Sequence, residues 1–135
     1  MKSQRFLRWI VVLVALLFVT GGSGPLLAEE QAIDMQNFEK LAQEGFAQAD
    51  GTRQAVQKVL DTVSQEAEAA GASNMLKDEV ADAKYWFKRA NDLLGQCKKQ
   101  MDEKKFDKNL VINLNQSWQW FVKAGSAAVR ASMMP

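Results

Sequence analysis

The chain contains no histidine, one cysteine and two prolines, Pro25 and Pro135. Each scarcity removes something. Without histidine there is no Ser-His-Asp or Cys-His catalytic apparatus of the usual kind. The paired Glu-x-x-His motifs that build di-iron centres in helical bundles are also excluded, as is a histidine-ligated haem. The sequence holds no Cys-x-x-Cys-His haem attachment motif either. A single cysteine, Cys97, cannot close an internal disulfide, the device many small exported domains use to supplement a small core. Stability must come from packing. With proline confined to residues 25 and 135, no pyrrolidine ring interrupts a helix between them.

Charge is unevenly spread: residues 29–70 hold nine acidic and three basic side chains, residues 75–135 hold seven and eleven, and the start of the chain is basic. Lys2, Arg5 and Arg8 form a basic head, followed by the apolar run Trp9 to Val19. The breaker-rich stretch Thr20 to Pro25 comes next, then Leu26-Leu27-Ala28. A basic head, a short apolar run and a small residue at the cut make the three-part pattern of a secretory signal. Residues 1–28 are therefore expected to be removed after Ala28. The alternative is an inner-membrane anchor retained through residues 6–28. A spanning helix needs roughly 20 apolar residues; the run here is 11 long (residues 9 to 19) and the Gly/Pro cluster after it would break the helix. No cysteine lies near the cut to accept a lipid.

Removing 28 of 135 residues leaves a 107-residue domain, 29–135, long enough for one core. It carries 16 acidic and 14 basic side chains once the head is gone, a net of −2. That balance offers no general attraction to nucleic acid or to an anionic membrane. The expected location is the periplasm or the medium, with membrane contact only if the signal is retained.

Strand signals are absent from this domain. Ala, Gln, Glu, Lys and Leu dominate, and apolar residues recur at alternating three- and four-residue steps, the period of a helix. A first helix is expected over about 31–70, on Met35, Phe38, Ala42, Ala49, Val56, Val59, Val63 and Ala70. Asp50-Gly51-Thr52 is a break signal, yet the apolar register passes through it without slipping. One continuous helix is the first expectation, two helices the second. Gly71 suits a left-handed cap, and Ser73 or Asn74 can cap the next helix. That second helix runs to about Lys105 on Leu76, Val80, Ala83, Phe87, Ala90, Leu94, Cys97 and Met101. After a short turn at Phe106-Asp107, with Asp107 as N-cap, a third runs to about Ser132 on Val111, Leu114, Trp118, Phe121, Val122, Gly125 and Val129. Short connections make sequential helices antiparallel neighbours. The expected fold is all-α, an up-down-up antiparallel bundle of three long helices, or of four if the first breaks near Gly51.

Chemistry is sparse. Cys97 is the natural nucleophile, with Lys98 and Lys99 beside it, but it sits on an apolar seam where a thiol packs as a small hydrophobe. Asp78, Glu79, Asp82 and Asp92 interleave with Lys77, Lys84 and Lys88, the pattern of a solvated, ion-paired face rather than a metal site. Lys98, Lys99, Lys104, Lys105 and Lys108 lie where the helix dipole favours cations. No catalytic residue, metal site or cofactor is expected.

The aromatics are the informative part. Tyr85-Trp86-Phe87 and Trp118-Gln119-Trp120-Phe121 cannot all face one core. Phe87 and Trp118 lie on their seams, Trp86 flanks one, and Tyr85 and Trp120 point nearly opposite. Around Trp120 the third helix shows Ala124, Ala127 and Ala131. A helix that is small or apolar on two faces is usually buried on both, either as the central element of its own bundle or against a second chain. Tyr85, Trp120, Ala124 and Ala127 are thus the expected partner-binding residues, for a protein partner or for self-association. The expected function is an exported non-catalytic protein acting by protein–protein binding, as an adaptor or accessory subunit of a cell-envelope complex. The rival is a small-ligand or cofactor carrier, holding its ligand between helices near Trp86, Phe87, Trp118 and Phe121.

Overall fold

The computed structural model describes residues 35–134. The expected signal sequence, its expected cleavage after Ala28 and the anchor alternative all fall outside the described residues. Three helices make up the fold: α1 (Met35–Glu68), α2 (Asn74–Asp102) and α3 (Lys108–Ser132). No strand occurs among the described residues, and the all-α expectation holds. Ser117 Oγ donates to the Ala90 carbonyl at 2.8 Å, and Arg130 reaches Glu79 at 2.6 Å. These pairings set α2 and α3 antiparallel. Gly45 lies against Leu114, and Val56 against Ala124, so α1 runs parallel to α3. The chain goes up, down and up.

α1 does not break at Asp50-Gly51-Thr52. Its 34 residues span about 51 Å at 1.5 Å per residue. The side chains that make these residues a break signal are satisfied within the helix. Asp50 accepts from Arg53 Nε at 2.9 Å and from Gln54 Nε2 at 3.0 Å, one turn ahead. The buried Thr52 hydroxyl donates back to the Gln48 carbonyl at 2.9 Å. Gly51 is exposed and packs against nothing. The four-helix alternative is thereby set aside.

The ends follow the capping residues. Gly71 takes φ +86°, and Ser73 Oγ accepts from the Leu76 N–H. Asp107 caps α3 by accepting from the Leu110 N–H at 2.8 Å. α2 stops at Asp102, three residues before its expected end at Lys105. Lys104 adopts φ 59°, and the N–H groups of Lys104 and Lys105 return to the carbonyls of Met101 and Gln100. That is a Schellman closure with lysine where glycine is usual, at a steric cost of about 1–2 kcal/mol.

The core is arranged around α3. It buries twelve residues, twice the six of α2, and both other helices pack on it more extensively than on each other. Leu110, Leu114 and Phe121 join Ala90, Leu94 and Cys97 of α2 and Ala42 and Ala49 of α1. Ala127, Ala128 and Ala131 sit among Val59, Leu60 and Val63 of α1 and Leu76, Val80 and Ala83 of α2. Small side chains there let the helices approach closely.

Candidate functional site

Three rings and two cations gather at the α2–α3 seam, midway along the helices. Tyr85 and Trp86 meet edge-on with centroids 5.1 Å apart, and Trp86 lies 6.3 Å from Trp120, tilted by 44°. The helix period produces the local half of this arrangement. Arg89 stands four residues after Tyr85 and three after Trp86, and Lys123 three after Trp120, so each cation shares a face with a ring. The helix–helix register produces the rest. The Arg89 guanidinium of α2 lies 4.6 Å from the Trp120 centroid on α3 and 5.6 Å from both Tyr85 and Trp86. Lys123 of α3 places its ammonium 4.1 Å from the Trp86 centroid on α2. Each helix thus sends a cation onto an indole of the other. Cation–π contacts contribute about 0.5–1 kcal/mol each at exposed sites.

The cluster faces outward over a packed floor. Trp86 packs on the Val56–Ala124 pair, and Trp120 on the cluster around Leu114 and Phe121. Both indoles are half-buried, while Tyr85, Arg89 and Lys123 are exposed. Arg89 Nη1 donates to the Tyr85 hydroxyl at 3.1 Å.

The structure redistributes the residues expected from sequence. Tyr85 and Trp120, which point away from their own helix seams, come together through Trp86 and Arg89. Ala124 and Ala127 do not share that surface. Both are wholly buried, Ala124 against Val56 of α1 and Ala127 among the valines and leucines of α1 and α2. The expectation that these two alanines meet a partner gives way to an internal seam, because α1 already covers them. The ligand set divides as well. Phe87 and Phe121 form a T-shaped pair 5.4 Å apart inside the core, and Trp86 turns outward to Trp120. Trp118 packs with the cluster around Leu94, and its indole N–H is buried without an acceptor. Arg89 and Lys123 were missed from sequence; their spacing from the aromatics was the available signal.

Cys97 is buried on the α2 seam, as its register requires. Burial pushes its thiol up to about 11 from 9.0. The thiolate is the reactive form, and raising the pKa from 9.0 to about 11 lowers its fraction roughly hundredfold near neutral pH. Native protein should therefore react with a thiol reagent at least that much more slowly than protein in denaturant; equal rates would contradict the burial. The linkage has a definite sign. The stability conferred by the neutral buried thiol is fully present below pH 9 and is lost as pH rises toward 11. The same alkaline loss should be absent from Cys97→Ala.

Charges elsewhere pair on the surface. Lys88 meets Asp92 at 2.9 Å, and Lys105 meets Glu103 at 3.3 Å. Among the described residues no group of three or more acidic or cysteine side chains stands close enough to hold a metal ion. No helix among them is long and apolar enough to cross a membrane. Gln100 Nε2 donates to the Lys105 carbonyl and to Asp107, which ties down the lysine-rich turn.

Comparison with protein-family models, characterised proteins and solved structures finds no match to this chain.

Proposed function

We propose that the mature chain is an exported, non-catalytic bundle that acts by binding another protein, as an adaptor or accessory subunit of a cell-envelope complex. The observation that carries the reading is the outward cluster of Tyr85, Trp86 and Trp120 with Arg89 and Lys123. Tyrosine, tryptophan and arginine are the residue types enriched in protein interfaces and their energetic centres. The two indoles are fixed from below by the core and from the side by the cations, so little of their ordering entropy remains to be lost on binding. A chain without histidine, with its one thiol buried and unreactive, supports the non-catalytic part. The basic head and apolar run of residues 1–28 support export.

The test is a photo-crosslinking residue at Tyr85, which is half exposed, in the full chain expressed in an exporting cell. A discrete adduct with an envelope protein is expected. Trp120→Ala should reduce it while leaving far-ultraviolet circular dichroism nearly unchanged, because the half-buried indole lies at the edge of the core. The reading fails if Tyr85 yields no adduct, or if the adduct persists unchanged in Trp120→Ala.

A further inference from the structure

Most cations among the described residues have no carboxylate within 4.0 Å; Arg89 and Lys123 stand out among them because they lie over aromatic rings. Arg53, Lys88, Lys105 and Arg130 each have a carboxylate within 4.0 Å. Neither Arg89 nor Lys123 has one among the described residues. The hydrogen bond Arg89 does make is to a neutral phenol, and its other N–H donors are left for something else. Two cations held beside each other without an anion repel. They are held because the indole faces attract both. The result is a cationic patch set among aromatic rings, called the notch below for the seam between α2 and α3 on which it lies.

We infer, resting on the protein-binding reading above, that this notch receives acidic side chains of the partner, an Asp- or Glu-bearing segment whose carboxylates bridge Arg89 and Lys123. The dimensions suit it. Both charged groups are measured to the same Trp86 centroid, 5.6 Å for Arg89 and 4.1 Å for Lys123, so they lie less than 10 Å apart. Acidic residues one helical turn apart place their Cβ atoms about 5–6 Å from each other. Alternate residues of a strand are separated by about 6.6 Å. Either spacing falls within that limit, and arginine can take its carboxylate with two parallel N–H bonds. The rings beside them exclude water from one side and strengthen the attraction.

A continuous anionic sheet fits less well. Asp82 and Asp92 are exposed on α2 on either side of the cluster. They repel any incoming anion, but a continuous anionic surface must meet both at once. Two separate carboxylates can be placed on Arg89 and Lys123 away from Asp82, with Asp92 already paired to Lys88. Of the other exposed apolar side chains, Met75 and Met133 lie at one end of the helices and Ile112 near the opposite end of α3, away from the notch.

The test uses the mature chain and a short, terminally blocked Glu/Ala peptide with glutamates four residues apart. A Gln-for-Glu peptide is the control, and phosphatidylglycerol vesicles are the competing surface. Indole fluorescence and calorimetry read binding. The Glu peptide should bind, the Gln peptide should not, and added salt should weaken the complex. Arg89→Gln with Lys123→Gln should lower affinity roughly tenfold, the combined effect of two exposed charge contacts. Lys123→Gln alone should give a smaller loss and serves as the second variant if the double one unfolds. The inference is overturned if neither peptide binds, if both bind alike, if the charge variants bind like the parent, or if only the vesicles bind. A Tyr85 adduct that survives such a failure leaves the protein-binding reading standing and removes only the acidic partner; loss of the adduct removes the reading itself.

Discussion

Phe121→Ala is expected to lower the unfolding free energy by about 3–5 kcal/mol. Phe121 heads the fully buried side chains of this bundle by size. It meets Phe87 of α2 in a T-shaped contact at 5.4 Å and packs with Leu114, Leu94 and Ala49, so all three helices converge on it. Truncation removes the transfer free energy of the ring and leaves a cavity that three rigid helices cannot close. A domain of this size has a total stability of about 5–15 kcal/mol, and no disulfide is present to hold the variant together. Urea denaturation followed by circular dichroism measures the change. A loss below 1 kcal/mol would mean that Phe121 is not where the bundle is held.

The second large effect is expected from Ala127→Leu. Ala127 has no exposed surface and lies among Val59, Leu60, Val63, Leu76, Val80 and Ala83. A larger side chain can be accommodated there only by forcing helices apart or neighbouring side chains off their rotamers, at about 1–3 kcal/mol. The experiment separates two uses of the same alanine. On an internal seam, Ala127→Leu destabilises the isolated protein and shows it as a lower melting temperature. On a docking face, the variant would melt like the parent and lose only its partner. Unchanged melting would therefore restore the face to the surface and overturn the packing described above.

The contrast between these residues shows which parts of the molecule its sequence made legible. Val56, Val59 and Val63 announced a buried face of α1 because they share one stripe and nothing polar interrupts it. Ser73 and Asp107 announced helix starts because their side chains serve backbone N–H groups close by. Such signals are local, and the helix period carries them. Ala124 and Ala127 were ambiguous for a physical reason: alanine packs equally well against a helix of its own chain or of another, and its spacing cannot say which. The Trp86–Trp120 meeting depended on the α2–α3 register, a property of two segments together. Arg89 and Lys123 fell between these cases. Their proximity to Tyr85, Trp86 and Trp120 along each helix was readable, whereas the crossing of each cation to the other helix was not. Lys104 gave no signal, since glycine is the residue expected at a left-handed position.

The central position of α3 bears on the order in which the protein takes shape. A ribosome makes α1 and α2 first, and in the finished bundle these two touch each other less than either touches α3. Val56, Ala49 and Ala42 on one side, and Ala90 and Leu94 on the other, share α3 residues as neighbours. Until residues 108–132 emerge, the first two helices lack the larger part of the surface on which they pack. The larger packing surface of both α1 and α2 is thus supplied last, so the bundle can close fully only when its third helix is complete.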